Sequence, residues 1–141
     1  MLSRDAVFVD TNGWIAILNA DDGLYSKACA CLLKLGTKGR QLVTTDWVLA
    51  ETGNGLARTA ARHRLADATQ RFLESPNCQL VWVDNVLFER ALKLYSQARD
   101  KSWGLIDCAS FVVMQDQGVL DAFTSDRHFE QMGFRCLLPT A

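Results

Sequence analysis

The sequence predicts an α/β fold, a single domain over residues 1–141 with a parallel five-stranded sheet flanked by helices on both faces. Three observations predict it. Five short, nearly continuous apolar runs rich in β-branched and aromatic residues recur along the chain, as expected of strands buried on both faces. Segments with helical apolar spacing separate them, and that alternation implies right-handed crossovers in a doubly wound sheet. The length of 141 residues, with 49% hydrophobic and 22% charged, suits one core and excludes a disordered chain.

Residues 6–10 (AVFVD) form the first strand. Residues 24–35 then place Leu24, Ala28, Cys31, Leu32 and Leu35 on a helical stripe, with Gly36 as the stop. Residues 41–45 (QLVTT) are the second strand, followed by an apolar segment that carries Glu51. Gly53-Asn54-Gly55 interrupts its helical pattern, each glycine costing about 1 kcal/mol relative to alanine, so that helix is kinked or packed very closely on a neighbour. Residues 79–83 (QLVWV) are the third strand. Asp84 is the N-cap of a helix over 85–99, striped by Leu87, Ala91, Leu94, Tyr95 and Ala98. A further helix over 106–117 ends at Gly118, which suits a left-handed cap. Residues 121–125 (DAFTS) and 134–138 (FRCLL) complete the sheet, and Pro76 and Pro139 fall between elements.

Charge and cysteine content narrow the function. Fifteen basic against 16 acidic residues leave a net charge of -1, so attraction to nucleic acid must come from a local patch. Cys29, Cys31, Cys78, Cys108 and Cys136 are an odd number among apolar neighbours, and the one-residue spacing of Cys29 and Cys31 is a poor zinc half-site; they read as free thiols. No apolar run reaches the roughly 18 residues of a membrane span, and residues 1–5 lack the layout of a signal peptide. The expectation is a cytoplasmic protein with no membrane partner.

Acidic residues mark the place where such folds bind ligands, beyond the carboxyl ends of the strands. Asp10 closes the first strand and Asp126 follows the fourth, while Glu51 and Asp107 start helical segments leaving the same edge. Each has a plainer alternative: Asp107 and Asp126 as helix caps, Asp10 as part of a turn, Glu51 in an ion pair with an arginine. Taken together they describe a cation site, because two carboxylates about 4 Å apart repel by about 4 kcal/mol at an effective dielectric near 20. Oxygen ligands without a His or Cys set suit Mg²⁺ or Mn²⁺, and such ions hold phosphates.

These residues resemble the PIN-domain ribonucleases, especially the VapC-like toxins of toxin–antitoxin pairs. The likeness runs through Phe8-Val9-Asp10-Thr11-Asn12, Thr45-Asp46-Trp47-Val48-Leu49-Ala50-Glu51, Ile106-Asp107-Cys108-Ala109-Ser110-Phe111 and Thr124-Ser125-Asp126-Arg127-His128-Phe129. The resemblance implies Asp10, Glu51, Asp107 and Asp126 as catalytic metal ligands, with Asn12 and Thr124 holding those carboxylates in place. It also implies Mg²⁺- or Mn²⁺-dependent cleavage of single-stranded RNA, a small antitoxin protein as partner, and a homodimer. An RNA-processing nuclease that is not a toxin, and a catalytically idle PIN-like binding or regulatory module, remain open. A phosphoacceptor receiver module fits less well, since Asp10 has no acidic companion at its strand end and Arg127 stands where a lysine is wanted.

Several residues stand outside the four acids. Arg58, Arg62 and Arg64 are candidate RNA contacts, with Arg58 and Arg62 sharing a helix face at i,i+4; a solvated face explains them equally well. His128 reads as capping or packing the last helix rather than as an acid or base. Asp100 reads as a solvated helix end, and Asp21, Asp22 and Asp46 as loop or capping residues. Of Trp14, Trp47, Trp82 and Trp103, at least three read as core.

Overall fold

A computed structural model describes residues 5–140. The reading of the N-terminal residues 1–4, and of residue 141 as part of the domain, lies outside the described residues. In chain order the elements are β1 Val7–Val9, α1 Thr11–Leu18, α2 Tyr25–Thr37, β2 Leu42–Thr45, α3 Asp46–Leu56, a 3₁₀ turn Ala60–His63, α4 Arg64–Glu74, β3 Cys78–Val81, α5 Asn85–Gln97, α6 Leu105–Gln117, β4 Asp121–Phe123, α7 His128–Gln131 and β5 Arg135–Cys136. The five strands are parallel throughout, in the order β3-β2-β1-β4-β5. Every position of β1 and β4 is buried, so both faces of the sheet centre are covered. The fold class expected from the sequence is the one observed.

The strand order reverses at β1. The chain runs outward through β2 and β3, then returns to lay β4 on the other side of β1. The crevice at the carboxyl ends of β1 and β4 is therefore the topological switch point. Close packing fixes it. A Cβ on Gly13 would lie 2.1 Å from the backbone oxygen of Phe123, so only glycine lets α1 sit against the end of β4. Phe8, Phe111, Phe123 and Phe129 fill the core beneath, with Phe111 edge-on to Phe129 at 4.9 Å.

At the opposite edge of the sheet, Asp121 opens β4 as a buried anion. Arg40 Nη2 and Arg135 Nη2 donate to its Oδ2 at 2.8 and 2.7 Å, and Arg135 Nε donates to Oδ1 at 2.9 Å. Burial pushes this carboxyl up, but the hydrogen bonds and charges of Arg135 and Arg40 outweigh it and hold the pKa below the ordinary value. The cluster ties β4 to β5 and to the loop before β2, and leaves the other edge for chemistry.

Several local expectations are corrected. Gly36 does not stop α2, which continues to Thr37; Gly39, at φ +64°, takes the left-handed position instead. Its N–H donates to Gly36 O and that of Arg40 to Leu35 O, both at 3.0 Å, closing the helix in a Schellman motif. Of the two expectations for the Gly53-Asn54-Gly55 segment, close packing is the one observed: α3 runs unbroken through it, and a Cβ on Gly55 would lie 2.6 Å from Ile15 Cδ1. Tyr95 is half-exposed rather than part of the buried stripe of α5. Asp84 does cap α5, accepting from Leu87 N at 2.8 Å, and Gly118 does take the left-handed cap of α6 at φ 68°. Trp14 and Trp103 are buried and Trp47 is half-buried against Phe88, while Trp82 is exposed.

Candidate active site

Asp10 follows β1 directly and is the N-cap residue of α1, in an extended conformation that turns its side chain into the protein. Its N–H donates to Phe123 O at 3.3 Å, joining the ends of the two central strands. Asp10 is only 4% exposed, and its Oδ1 has no hydrogen-bond partner. The Thr124 hydroxyl bridges Asn12 Oδ1 at 2.6 Å and Asp10 Oδ2 at 3.0 Å, and the same Asn12 oxygen accepts from Ser125 N at 3.1 Å. Asp126 N in turn donates to Thr124 Oγ1 at 3.0 Å. Thr124 thus links both strand ends to both of their aspartates.

The other two acids arrive on helices. Glu51, on α3, accepts a short hydrogen bond from Thr11 Oγ1. Asp107 lies in the first turn of α6, where its Oδ2 accepts from Gly104 N at 3.1 Å. Asp126 Oδ1 accepts from His128 N at 2.9 Å. Capping and site geometry are therefore not alternatives here, since Asp107 and Asp126 each hold a helix start with one oxygen.

Electrostatics registers the convergence. Burial pushes the Asp10 pKa up from 3.8 to about 7; the charges of Asp107 and Asp126 push the same way, opposed by the Thr11 N–H and the Thr124 hydroxyl. Burial also raises Asp107, with Asp126 and Glu51 adding to it against the Gly104 N–H and His128. Asp107 thus lies within electrostatic reach of each of the other three acids, and Asp10 within reach of Asp107 and Asp126. The tightest grouping is narrower: one donor atom each from Asp107, Asp126 and His128 lies within 4.8 Å of the others, and neither Asp10 nor Glu51 belongs to it.

His128, expected from the sequence to cap or pack the last helix, stands beside two of the acids. Its Nδ1 lies 3.2 Å from Asp126 Oδ1 and 3.4 Å from Asp107 Oδ2. The available signal was its place two residues beyond Asp126. Thr11, beside Asp10, was likewise passed over as a partner for Glu51. The arginine expectation needs correction. Arg58 and Arg62 do not share a helix face, because α3 ends at Leu56 and a 3₁₀ turn begins at Ala60, capped by Thr59 Oγ1 accepting from Ala61 N. Arg62 donates to Ala57 O at 3.1 Å and Arg64 to Leu18 O at 3.2 Å. Arg58, Arg62 and Arg64 are exposed and, among the described residues, none forms an ion pair.

Residues 7–135 match the family model of the PIN domain. The chain belongs to the PIN domain family. Over 128 residues it is 30% identical to the 23S rRNA-specific endonuclease VapC20 of Mycobacterium tuberculosis, covering 91% of this chain and 95% of the relative. The crystal structure of Mycobacterium tuberculosis VapC20, described as a sarcin–ricin-loop-cleaving toxin, is similar with a TM-score of 0.80 and 27% identity, over 94% of this chain and 99% of that one. VapBC2 from Rickettsia felis, bound to a DNA fragment from its promoter, has a TM-score of 0.63 at 14% identity, over 93% and 96% of the two chains. FitAcB from Neisseria gonorrhoeae has 0.62 at 15%, over 92% and 95%. The last two are likenesses of fold alone. Among the described residues, no helix of this PIN domain is long and apolar enough to cross a membrane.

Proposed function

We propose that this PIN domain is a divalent-metal-dependent endoribonuclease, the toxin of a toxin–antitoxin pair, which hydrolyses phosphodiester bonds of RNA. The observation that carries the reading is Asp10: a carboxyl 4% exposed, with Oδ1 unpartnered, beside the charges of Asp107 and Asp126. A buried anion among anions is costly without a cation. The donor set fits Mg²⁺ or Mn²⁺, held by Asp10, Glu51, Asp107 and Asp126. When bound, the ion supplies Lewis-acid polarisation of the phosphoryl oxygens and a water activated at neutral pH.

The chain's own residues do the remaining work. Thr124 and Asn12 hold Asp10 and the turn to Asp126 in one geometry, so that the carboxylates need no reorganisation when substrate arrives. Thr11 orients Glu51 through its hydroxyl. Without a cation the four acids repel an RNA backbone. Arg58, Arg62 and Arg64, exposed beyond α3, are the cations proposed to take its phosphates, giving affinity that falls with salt.

The substrate class is single-stranded RNA, and the 23S rRNA named for the VapC20 relative is the first specific target to test. The partners are a small antitoxin protein and a second copy of the chain. Support for the second copy comes from α5, which leaves Phe88, Leu92 and Tyr95 exposed at helical spacing. The function is tested by incubating purified protein with RNA in Mg²⁺ or Mn²⁺ and in EDTA. Cleavage in metal alone, lost in Asp126→Asn with the fold intact by circular dichroism, is expected. Cleavage that survives both EDTA and Asp126→Asn overturns the reading.

A further inference from the structure

His128 enters the acidic pocket from the start of α7 with its Nδ1 buried. Carboxylate oxygens of Asp126 and Asp107 stand 3.2 and 3.4 Å away, yet that nitrogen has no hydrogen-bond partner. The other ring nitrogen, Nε2, lies 3.1 Å from Ser102 Oγ. In the tautomer with Nε2–H donating to that hydroxyl, Nδ1 is unprotonated and stands beside two carboxylates. That arrangement repels unless a proton or a metal ion lies between the nitrogen and the carboxylates, and it is the metal ion that is proposed to take this place.

The separations suit that cation. Two ligands about 2.1 Å from one ion stand roughly 3.0–3.4 Å apart when they subtend about 90–110°. A metal-bound histidine also characteristically donates its second ring N–H to a neighbour that fixes the tautomer, the part Ser102 plays here. An independent observation marks the same pocket: Asp10 is 4% exposed and leaves Oδ1 unpartnered beside the charges of Asp107 and Asp126.

Resting on the metal-dependent reading above, the geometry points to His128 Nδ1 as a direct metal ligand alongside Asp107 and Asp126. The site is then a mixed nitrogen–oxygen centre that prefers a first-row transition ion, with Mn²⁺ as its probe, to Mg²⁺. Mg²⁺ demands hard oxygen ligands, while imidazole favours transition ions. His128 is thus the residue that sets which cation the site accepts.

Electron spin echo envelope modulation of the Mn²⁺-loaded protein reads a directly bonded nitrogen without any turnover. The chain has two histidines, so each can be removed in turn. The expected result is a ¹⁴N coupling in wild type and His63→Gln that is absent in His128→Gln. Calorimetric titration should also find Mn²⁺ bound at least about 10-fold more tightly than Mg²⁺ by wild type, a preference narrowed to about 3-fold or less in His128→Gln. Should His128→Gln fail to fold, wild type carrying ¹⁵N-histidine decides by the replacement of the ¹⁴N coupling or its persistence. Mn²⁺ bound with no nitrogen coupling overturns the role of His128 and leaves the nuclease reading standing. No Mn²⁺ or Mg²⁺ binding at all overturns the metal site itself.

Discussion

Replacing Asp10 by asparagine should make the metal-free protein more stable while removing its activity. Burial, reinforced by Asp107 and Asp126, moves the Asp10 pKa from 3.8 to about 7. A shift of roughly three units at 1.36 kcal/mol each sets the cost of the folded charge at about 4 kcal/mol. The sign follows from linkage. A carboxyl with a raised folded pKa binds its proton more tightly in the native state, so stability is highest below pH 3.8, falls as pH rises towards 7, and is level above it. Asparagine carries no charge at any pH, but it weakens the contact with the Thr11 N–H, so we expect a net gain of about 2–3 kcal/mol at pH 8. At about 3 °C per kcal/mol for a chain of this size, the melting temperature should rise by roughly 6–10 °C. Thermal scans of both proteins in EDTA between pH 4 and 8.5 measure the difference, which should shrink towards zero at the acid end. Millimolar Mn²⁺ should then stabilise wild type by mass action, by about 2.7 kcal/mol at 100 times its Kd, and the variant less. A variant that melts at or below wild type at pH 8, or a difference independent of pH, would refute the reasoning.

Asp121 should behave in the opposite sense. Its pKa is held below the ordinary value by Arg135 and Arg40 against the push of burial, so its contribution is present above pH 3.8 and lost as pH falls through the folded value. Asp121→Asn should therefore lower the melting temperature at pH 7 and narrow its gap to wild type near pH 3, as read by the same scans. Gly13→Ala should destabilise by at least about 2 kcal/mol in urea unfolding, because the new Cβ meets the Phe123 backbone oxygen at 2.1 Å and neither strand end can move without the other. Arg62→Ala with Arg64→Ala should weaken RNA binding and reduce the slope of log affinity against log salt by about 1.4, measured on a catalytically inactive background; an unchanged slope would remove these residues from the RNA surface.

The sheet was legible because a parallel, doubly covered strand must be apolar at nearly every position, and runs such as those around Phe8 and Phe123 have no other use. The acids stood out for the same reason, since Asp10, Glu51 and Asp107 interrupt apolar surroundings that a charge disrupts. His128 was not legible. Its significance comes from the approach of Asp107, about twenty residues away, which no local pattern encodes, and its position in the first turn of a short helix invited a capping role. The arginines were misread because an apparent i,i+4 pair assumes one continuous helix, whereas Thr59 caps a new 3₁₀ turn between Arg58 and Arg62. Gly36 was taken as a stop on residue type alone. The helix ends where a left-handed residue closes the Schellman bonds, and that residue is Gly39. In each failure the deciding interaction was a backbone or tertiary contact rather than the side-chain pattern.

The central claim is that carboxylates from four distant segments share one cation. Anomalous diffraction from crystals soaked in Mn²⁺ tests it directly. The account predicts a peak within about 2.5 Å of carboxylate oxygens of Asp107 and Asp126, on the side of the pocket faced by Asp10 and Glu51. A fully soaked crystal whose only peaks lie elsewhere on the surface would contradict it.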